Sequence, residues 1–163
     1  MFPGKPLAVV EDVESDALLL RLAIEEARIP NRLIFLPDGE QLISYLSGSA
    51  LFSDRAEFPL PGLLLLDLKM PRLDGFSVLR WIGDRPELRD IPVVVFSAST
   101  CEADAAKAIQ LGARQYVSKP SQFKVLIELV SALHAKWLTE GDPLIETSAP
   151  AQLAAAASLS AAG

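Results

Sequence analysis

Leu63-Leu64-Leu65-Leu66 is apolar at every position and stops at Asp67. An apolar run of strand length without alternation is a strand buried on both faces, the kind found in parallel sheets covered by helices on each side. Leu7-Ala8-Val9-Val10 repeats the pattern and stops at Glu11-Asp12, and Ile91 to Ser97, rich in β-branched residues, repeats it again. Arg32 to Leu36 and Ala113 to Val117 read as two further strands. Helix-length stretches lie between them. In the first, Leu18, Leu22 and Ala23 recur at helical spacing, with Ser15 or Asp16 placed to cap it. Arg28-Ile29-Pro30 ends it, because proline disfavours helical geometry in the residue before it. Gln41 to Leu46, Asp74 to Ile82, Glu102 to Leu111 and Ser121 to Leu138 read as the remaining helices. Ser47 to Gly62 is longer than a typical connection, with a helical turn expected around Leu51 to Arg55. Strands alternating with helices in this way require an α/β fold, a doubly wound five-stranded parallel sheet with helices on both faces.

Residues 1–139 are expected to form one domain and residues 140–163, rich in Ala, Ser and Pro, a flexible tail. The Gln152 to Ala157 stretch within that tail is too short to be a stable helix alone. A net charge of −6 argues against nucleic acid as a direct partner, since phosphate binding relies on clustered Lys and Arg. The longest apolar runs are well short of a bilayer span, and residues 1–6 carry no apolar leader, so no membrane role is expected. Cys101 is the one cysteine, which excludes an internal disulfide and fits a reducing, cytoplasmic setting.

In an open parallel sheet, ligands bind beyond the carboxyl ends of the strands, near the point where strand order reverses. The residues at those ends therefore decide the chemistry. Glu11 and Asp12 follow the first strand, Asp67 the third, Ser97 ends the fourth, and the fifth leads to Lys119-Pro120. Gathered carboxylates repel one another and need a cation. Hard oxygen ligands without imidazole or thiolate suit Mg²⁺, with Mn²⁺ able to substitute. Asp67, at the tip of a rigid strand, is then the candidate nucleophile for an aspartyl phosphate. Asp12 would hold the metal directly and Glu11 through a water. Lys119 would neutralise one phosphoryl oxygen and Ser97 would donate to another. A cis peptide at Pro120 is expected, as such bonds mark fixed tight turns. Taken singly these residues are bland: a helix cap, a turn former, an exposed Lys-Pro pair, a serine. The specificity lies in the joint pattern.

That pattern resembles the receiver domain of two-component response regulators. The residues carrying it are Val9-Val10-Glu11-Asp12, Leu65 to Pro71, Asp74-Gly75, Pro92 to Ala98, Gly112-Ala113 and Tyr116 to Pro120, within a match from about Leu7 to Leu138. The resemblance implies a flavodoxin-like strand order 2-1-3-4-5 and a sensor histidine kinase as phosphoryl donor. It also implies the main-chain carbonyl of Lys69 as a further metal ligand and Ala98 beside the phosphoryl-binding serine. Lys69 and Ser99 stand where the family tunes phosphoryl lifetime, and Tyr116 where it carries a switch aromatic. Ser121 replaces a bulkier apolar residue more usual there. The Ser47 to Pro61 connection, Pro86 to Val93 and Trp137-Leu138 look like the small stand-alone receivers that pair with bacterial phytochromes, which often dimerise.

On activation Tyr116 is expected to rotate inward; the alternative is a half-buried strand aromatic with a solvated hydroxyl. In the last helix Phe123, Ile127, Val130 and Trp137 follow one face, with Val125, Leu129, Ala132 and Leu133 beside it. A stripe this wide suits either a homodimer or partner surface, or packing entirely on the sheet. His134 is expected on the helix surface, outside any phosphotransfer role. Two competing functions remain open. A phosphatase of the haloacid dehalogenase type also uses a strand-end Asp, but wants a second Asp two positions on, where Lys69 stands. A receiver-like scaffold that takes no phosphate would not need the set Glu11, Asp12, Asp67, Ser97 and Lys119.

Overall fold

The computed structural model describes residues 2–139, so the expected tail at 140–163 lies outside the described residues. The chain runs β1 (Leu7–Val10), α1 (Glu14–Glu26), β2 (Leu33–Leu36), α2 (Gly39–Ser47), β3 (Leu63–Leu66), α3 (Gly75–Gly83), β4 (Val93–Ser97), α4 (Glu102–Gln110), β5 (Gln115–Ser118) and α5 (Phe123–Trp137). The strands form one parallel sheet in the order β2-β1-β3-β4-β5, as expected. Because strand side chains alternate, the apolar runs supply both faces. Ala8, Val10, Leu64, Leu66, Val93, Val95 and Tyr116 pack with residues of α2, α3 and α4. Leu7, Val9, Leu63, Leu65, Val94, Phe96 and Val117 pack with α1 and α5. Uninterrupted hydrophobicity was required by a sheet with two covered sides.

Element ends differ from the sequence reading in instructive ways. Asp38 and Asp74 cap α2 and α3 by accepting from the amides of Gln41 and Ser77. Neither Ser15 nor Asp16 caps α1, which begins one turn-fraction earlier, with Val13 at the N-cap and no side-chain bond. The Val13 amide instead donates to Glu11 Oε2 at 3.3 Å. Asp16 is thereby released from capping. The long connection after α2 holds a 3₁₀ turn at Ala50–Phe52, beginning one residue before the helical turn expected around Leu51 to Arg55. Arg55 secures it by donating to the carbonyls of Tyr45, Leu46 and Phe58.

On α5, Leu126, Leu129, Val130 and Leu133 are buried, Ile127 and Trp137 half-buried, and Phe123 and Val125 exposed. Most of the wide stripe is therefore core. His134 is not a free surface residue: its Nε2 lies 2.9 Å from Asn31 Oδ1, and burial lowers its pKa. No helix among the described residues is long and apolar enough to cross a membrane.

Candidate functional site at the carboxyl end of the sheet

β1 lies between β2 and β3, so the chain leaves β1 to one side and returns on the other. That reversal opens a crevice at the carboxyl ends of β1 and β3. The register pairs Val10 with Leu66, and the Asp67 amide donates to the Val10 carbonyl at 3.3 Å. The residues following the two strands therefore emerge side by side. One carboxylate oxygen from each of Glu11, Asp12 and Asp67 lies within 4.8 Å of the others. Glu11 and Asp67 are buried, and Asp12 is half-buried.

Asp12 Oδ1 is buried without a hydrogen-bond partner. An unsatisfied buried carboxylate oxygen is costly. Asp12 also belongs to a cluster of hard oxygen donors of the kind that divalent cations of the Mg²⁺ class take, so the residues present fit such an ion. Burial pushes the Glu11 carboxyl up to about 7; the Lys119 hydrogen bond works against this, while the neighbouring Asp67 charge adds to it. A cation would relieve this.

Lys119 closes the site from the β5 side. Its Nζ donates to Glu11 Oε1 at 2.5 Å, Asp16 Oδ2 at 3.0 Å and Asp67 Oδ2 at 3.3 Å. These acidic partners hold the ammonium charged, against the opposing effect of burial, so its pKa lies above the usual lysine range. The Lys119 amide donates to the Ser97 carbonyl at 2.8 Å, fixing the turn after β5 to the end of β4. The expected cis bond at Pro120 is absent: every described peptide bond is trans. Trans is the lower-energy isomer even before proline, and this turn is already fixed by the amide bond and the three ion pairs.

Ser97 is fully buried, and Ala98 is exposed beside it. The Lys69 side chain is exposed, while its amide donates to Asp67 Oδ1 at 3.3 Å. Ser99 donates through Oγ to Asp104 Oδ2 at 2.9 Å, and its amide donates to Ser97 Oγ at 3.2 Å. Tyr116 is 1 % exposed, and its hydroxyl donates to the Ser99 carbonyl at 2.7 Å. It is neither half-buried nor solvated at the hydroxyl; it already points inward.

Sequence reading missed two acidic residues that the fold brings in. Asp104 lies inside an expected helix, and Asp16 is a candidate helix cap, so neither stands out in the sequence. Asp16 lies in the first turn of α1, which follows β1 almost directly, and its contact with Lys119 brings it to the same crevice.

The chain matches the family model described as "Response regulator receiver domain" over residues 7–131. It is 33% identical over 136 residues to the response regulator Rcp1 of a Synechocystis strain, covering 83% of this chain and 90% of that protein. Among solved structures it resembles the phosphorylated cyanobacterial phytochrome response regulator RcpA, with TM-score 0.77, 30% identity, and 85% and 97% of the two chains covered. It also resembles the Mn²⁺-bound form of Rcp1, with TM-score 0.74, 32% identity, and 85% and 97% covered.

Proposed function

This chain belongs to the response regulator receiver domain family, a signalling family, and from that membership we propose that it is a phospho-accepting switch whose phosphoryl group is carried by Asp67. The observation that carries the reading is the meeting of Glu11, Asp12, Asp67 and Lys119 at one strand-end crevice. Glu11, Asp12, Asp67 and the main-chain carbonyl of Lys69 would hold Mg²⁺ or Mn²⁺. Bound there, the ion supplies positive charge to phosphoryl oxygens and offsets the carboxylates.

The chain's own residues do the rest. A carboxylate oxygen of Asp67, set by the end of β3, attacks the phosphorus of a phosphohistidine. The new O–P bond forms as the P–N bond breaks, and the departing imidazole nitrogen keeps the electron pair. Lys119 offers its ammonium to a phosphoryl oxygen, and the Ser97 hydroxyl and Ala98 amide, at the end of β4, would donate to another. Lys69 and Ser99, flanking the crevice, would govern how readily water reaches the phosphoryl group. Tyr116 would pass the state of Ser97 through the Ser99 loop to the α4–β5–α5 side, where partner binding or dimerisation changes.

The proposed donor is a sensor histidine kinase. A bacterial phytochrome fits best, since the similar RcpA structure is described as that of a phytochrome response regulator. A dehalogenase-type phosphatase is not favoured, because the position two after Asp67 carries the exposed Lys69 in place of a general acid. The test is incubation with acetyl phosphate and Mg²⁺ followed by intact mass. Wild type gains one phosphoryl group and Asp67→Asn gains none; a wild type that stays unlabelled refutes the proposal.

A further inference from the structure

We infer that Asp16 is a positioning residue for the phosphoryl chemistry, anchoring the Lys119 ammonium beside Asp67 from outside the metal-binding cluster. The inference rests on the phosphoacceptor reading above. An ammonium has three N–H donors. In this site they go to Glu11, Asp16 and Asp67. Two of those acceptors, Glu11 and Asp67, also belong to the carboxylate group within 4.8 Å suited to a cation. Any cation held there draws on the same two carboxylates that hold Lys119. Asp16 is not in that group, so it is the acceptor that keeps its bond when the others are shared.

The placement of Asp16 makes it an effective anchor. It sits in the first turn of α1, whose Leu20, Ala23 and Ile24 are locked into the core against the α5 side of the sheet. Lys119 reaches across on a flexible four-carbon stem, which does not by itself fix where the charge sits. The Phe96 ring centroid lies 5.9 Å from Nζ, at the outer limit of a cation–π contact, so the ring is a weak guide for the ammonium beside the three carboxylates. With Asp16 removed, Nζ would be held only by Glu11 and Asp67, the two carboxylates that a cation also draws on. Small misplacements of a charge-stabilising group are costly in rate.

A plainer role for Asp16 is to complement the α1 dipole, since carboxylates favour helix N-termini. Glu14 lies in the same turn and is exposed, yet the carboxylates paired with Lys119 do not include it. It serves as the control. Labelling of Asp67 by acetyl phosphate is followed by intact mass for wild type, Asp67→Asn, Asp16→Asn, Asp16→Ser, Asp16→Glu and Glu14→Gln. The side-chain ammonium resonance of Lys119, assigned with Lys119→Arg, is followed in ¹⁵N-lysine protein without added metal.

Asp16→Asn and Asp16→Ser are expected to label about tenfold more slowly, and Asp16→Glu to recover most of the loss. The ammonium resonance should shift or broaden in Asp16→Asn and stay in place in Glu14→Gln. Asp16→Ser, which keeps a polar first turn, guards against a folding defect in Asp16→Asn. Labelling of both Asp16 variants within about twofold of wild type overturns the inference and leaves the phosphoacceptor reading intact. An equal loss in Glu14→Gln also overturns it. A wild type that labels no more than Asp67→Asn overturns the phosphoacceptor reading, and this inference with it.

Discussion

The Tyr116 hydroxyl donates to the main-chain carbonyl of Ser99 at 2.7 Å, tying β5 to the loop that follows β4. Ser99 is fixed at its other groups too: Oγ donates to Asp104, the Cys101 amide donates to that same Oγ at 3.2 Å, and the Ser99 amide donates to Ser97 Oγ. A continuous set of bonds thus runs from the β5 aromatic to the buried hydroxyl at the end of β4. Tyr116→Phe keeps the ring and deletes one donor. It should lower stability by about 1 kcal/mol, the net worth of a typical hydrogen bond. Amide exchange at Ser99 and Cys101 should quicken while β4 itself stays protected. Unchanged exchange in that loop would show the bond carries no ordering.

The partnerless Oδ1 of Asp12 leads to a second expectation. A ligand that binds the native state alone stabilises it, by about 2.7 kcal/mol at a hundredfold excess over Kd. Millimolar Mg²⁺ or Mn²⁺ should raise the melting temperature, and chelation should reverse the gain. Asp12→Asn should abolish the response. It should also leave the metal-free protein no less stable than wild type, because it removes one of three carboxylates that crowd together. A full metal response in Asp12→Asn would rule this oxygen out as a ligand.

Much of this architecture was legible because a parallel sheet writes its strands as unbroken apolar runs. Leu63 to Leu66 and Leu7 to Val10 carry enough information to place both the sheet and the carboxylates at its edge. What escaped depends on distance along the chain. Asp16 meets Lys119 across 103 positions, and His134 meets Asn31 across 103 as well. No local spacing rule reports such pairs. The start of α1 was misplaced for a related reason: the Val13 amide finds its acceptor in the preceding Glu11, so the expected Ser15 or Asp16 cap is not needed. On α5 the width of the apolar stripe was visible. Which residues the sheet would take was not, since that depends on how the helix is rotated.

His134 offers a pH test because it is the one histidine in the chain. Asn31 Nδ2 donates to the Lys5 carbonyl at 2.8 Å, which leaves Oδ1 to accept from His134 Nε2–H. Burial lowers the imidazole pKa below its ordinary 6.5, favouring the neutral ring in the fold. Below 6.5 the unfolded chain takes up the proton first, so it binds more protons than the native state. The contribution of this group is therefore whole above pH 6.5 and is lost as pH falls through the lowered native value. The imidazole C2 proton resonance should titrate with a midpoint below 6.5, and His134→Gln should flatten that part of the stability profile. A midpoint at or above 6.5 would contradict the assignment.

Gly75, the first residue of α3, joins the fold to the site most tightly. A Cβ there would lie 2.6 Å from the main-chain oxygen of Asp67 and 2.7 Å from Leu68 Cα. The Gly75 amide also donates to the Leu68 carbonyl at 2.9 Å, so the two segments are held in contact. Both obstructing atoms are backbone, and neither can yield without moving the peptide that carries Asp67. Gly83, at the other end of α3, is the contrast: its nearest obstruction is the Leu111 carbonyl at 3.9 Å. Gly83→Ala should be neutral or stabilising by up to about 1 kcal/mol, from helix propensity. Gly75→Ala has the same propensity gain available. It should nonetheless cost about 2–4 kcal/mol through overpacking and slow the labelling of Asp67. Because the two substitutions are chemically identical and share one helix, the difference in their melting temperatures isolates the close approach. Equal melting of the pair would mean that the loop after β3 moves aside freely, and that the position of Asp67 is not set by this contact.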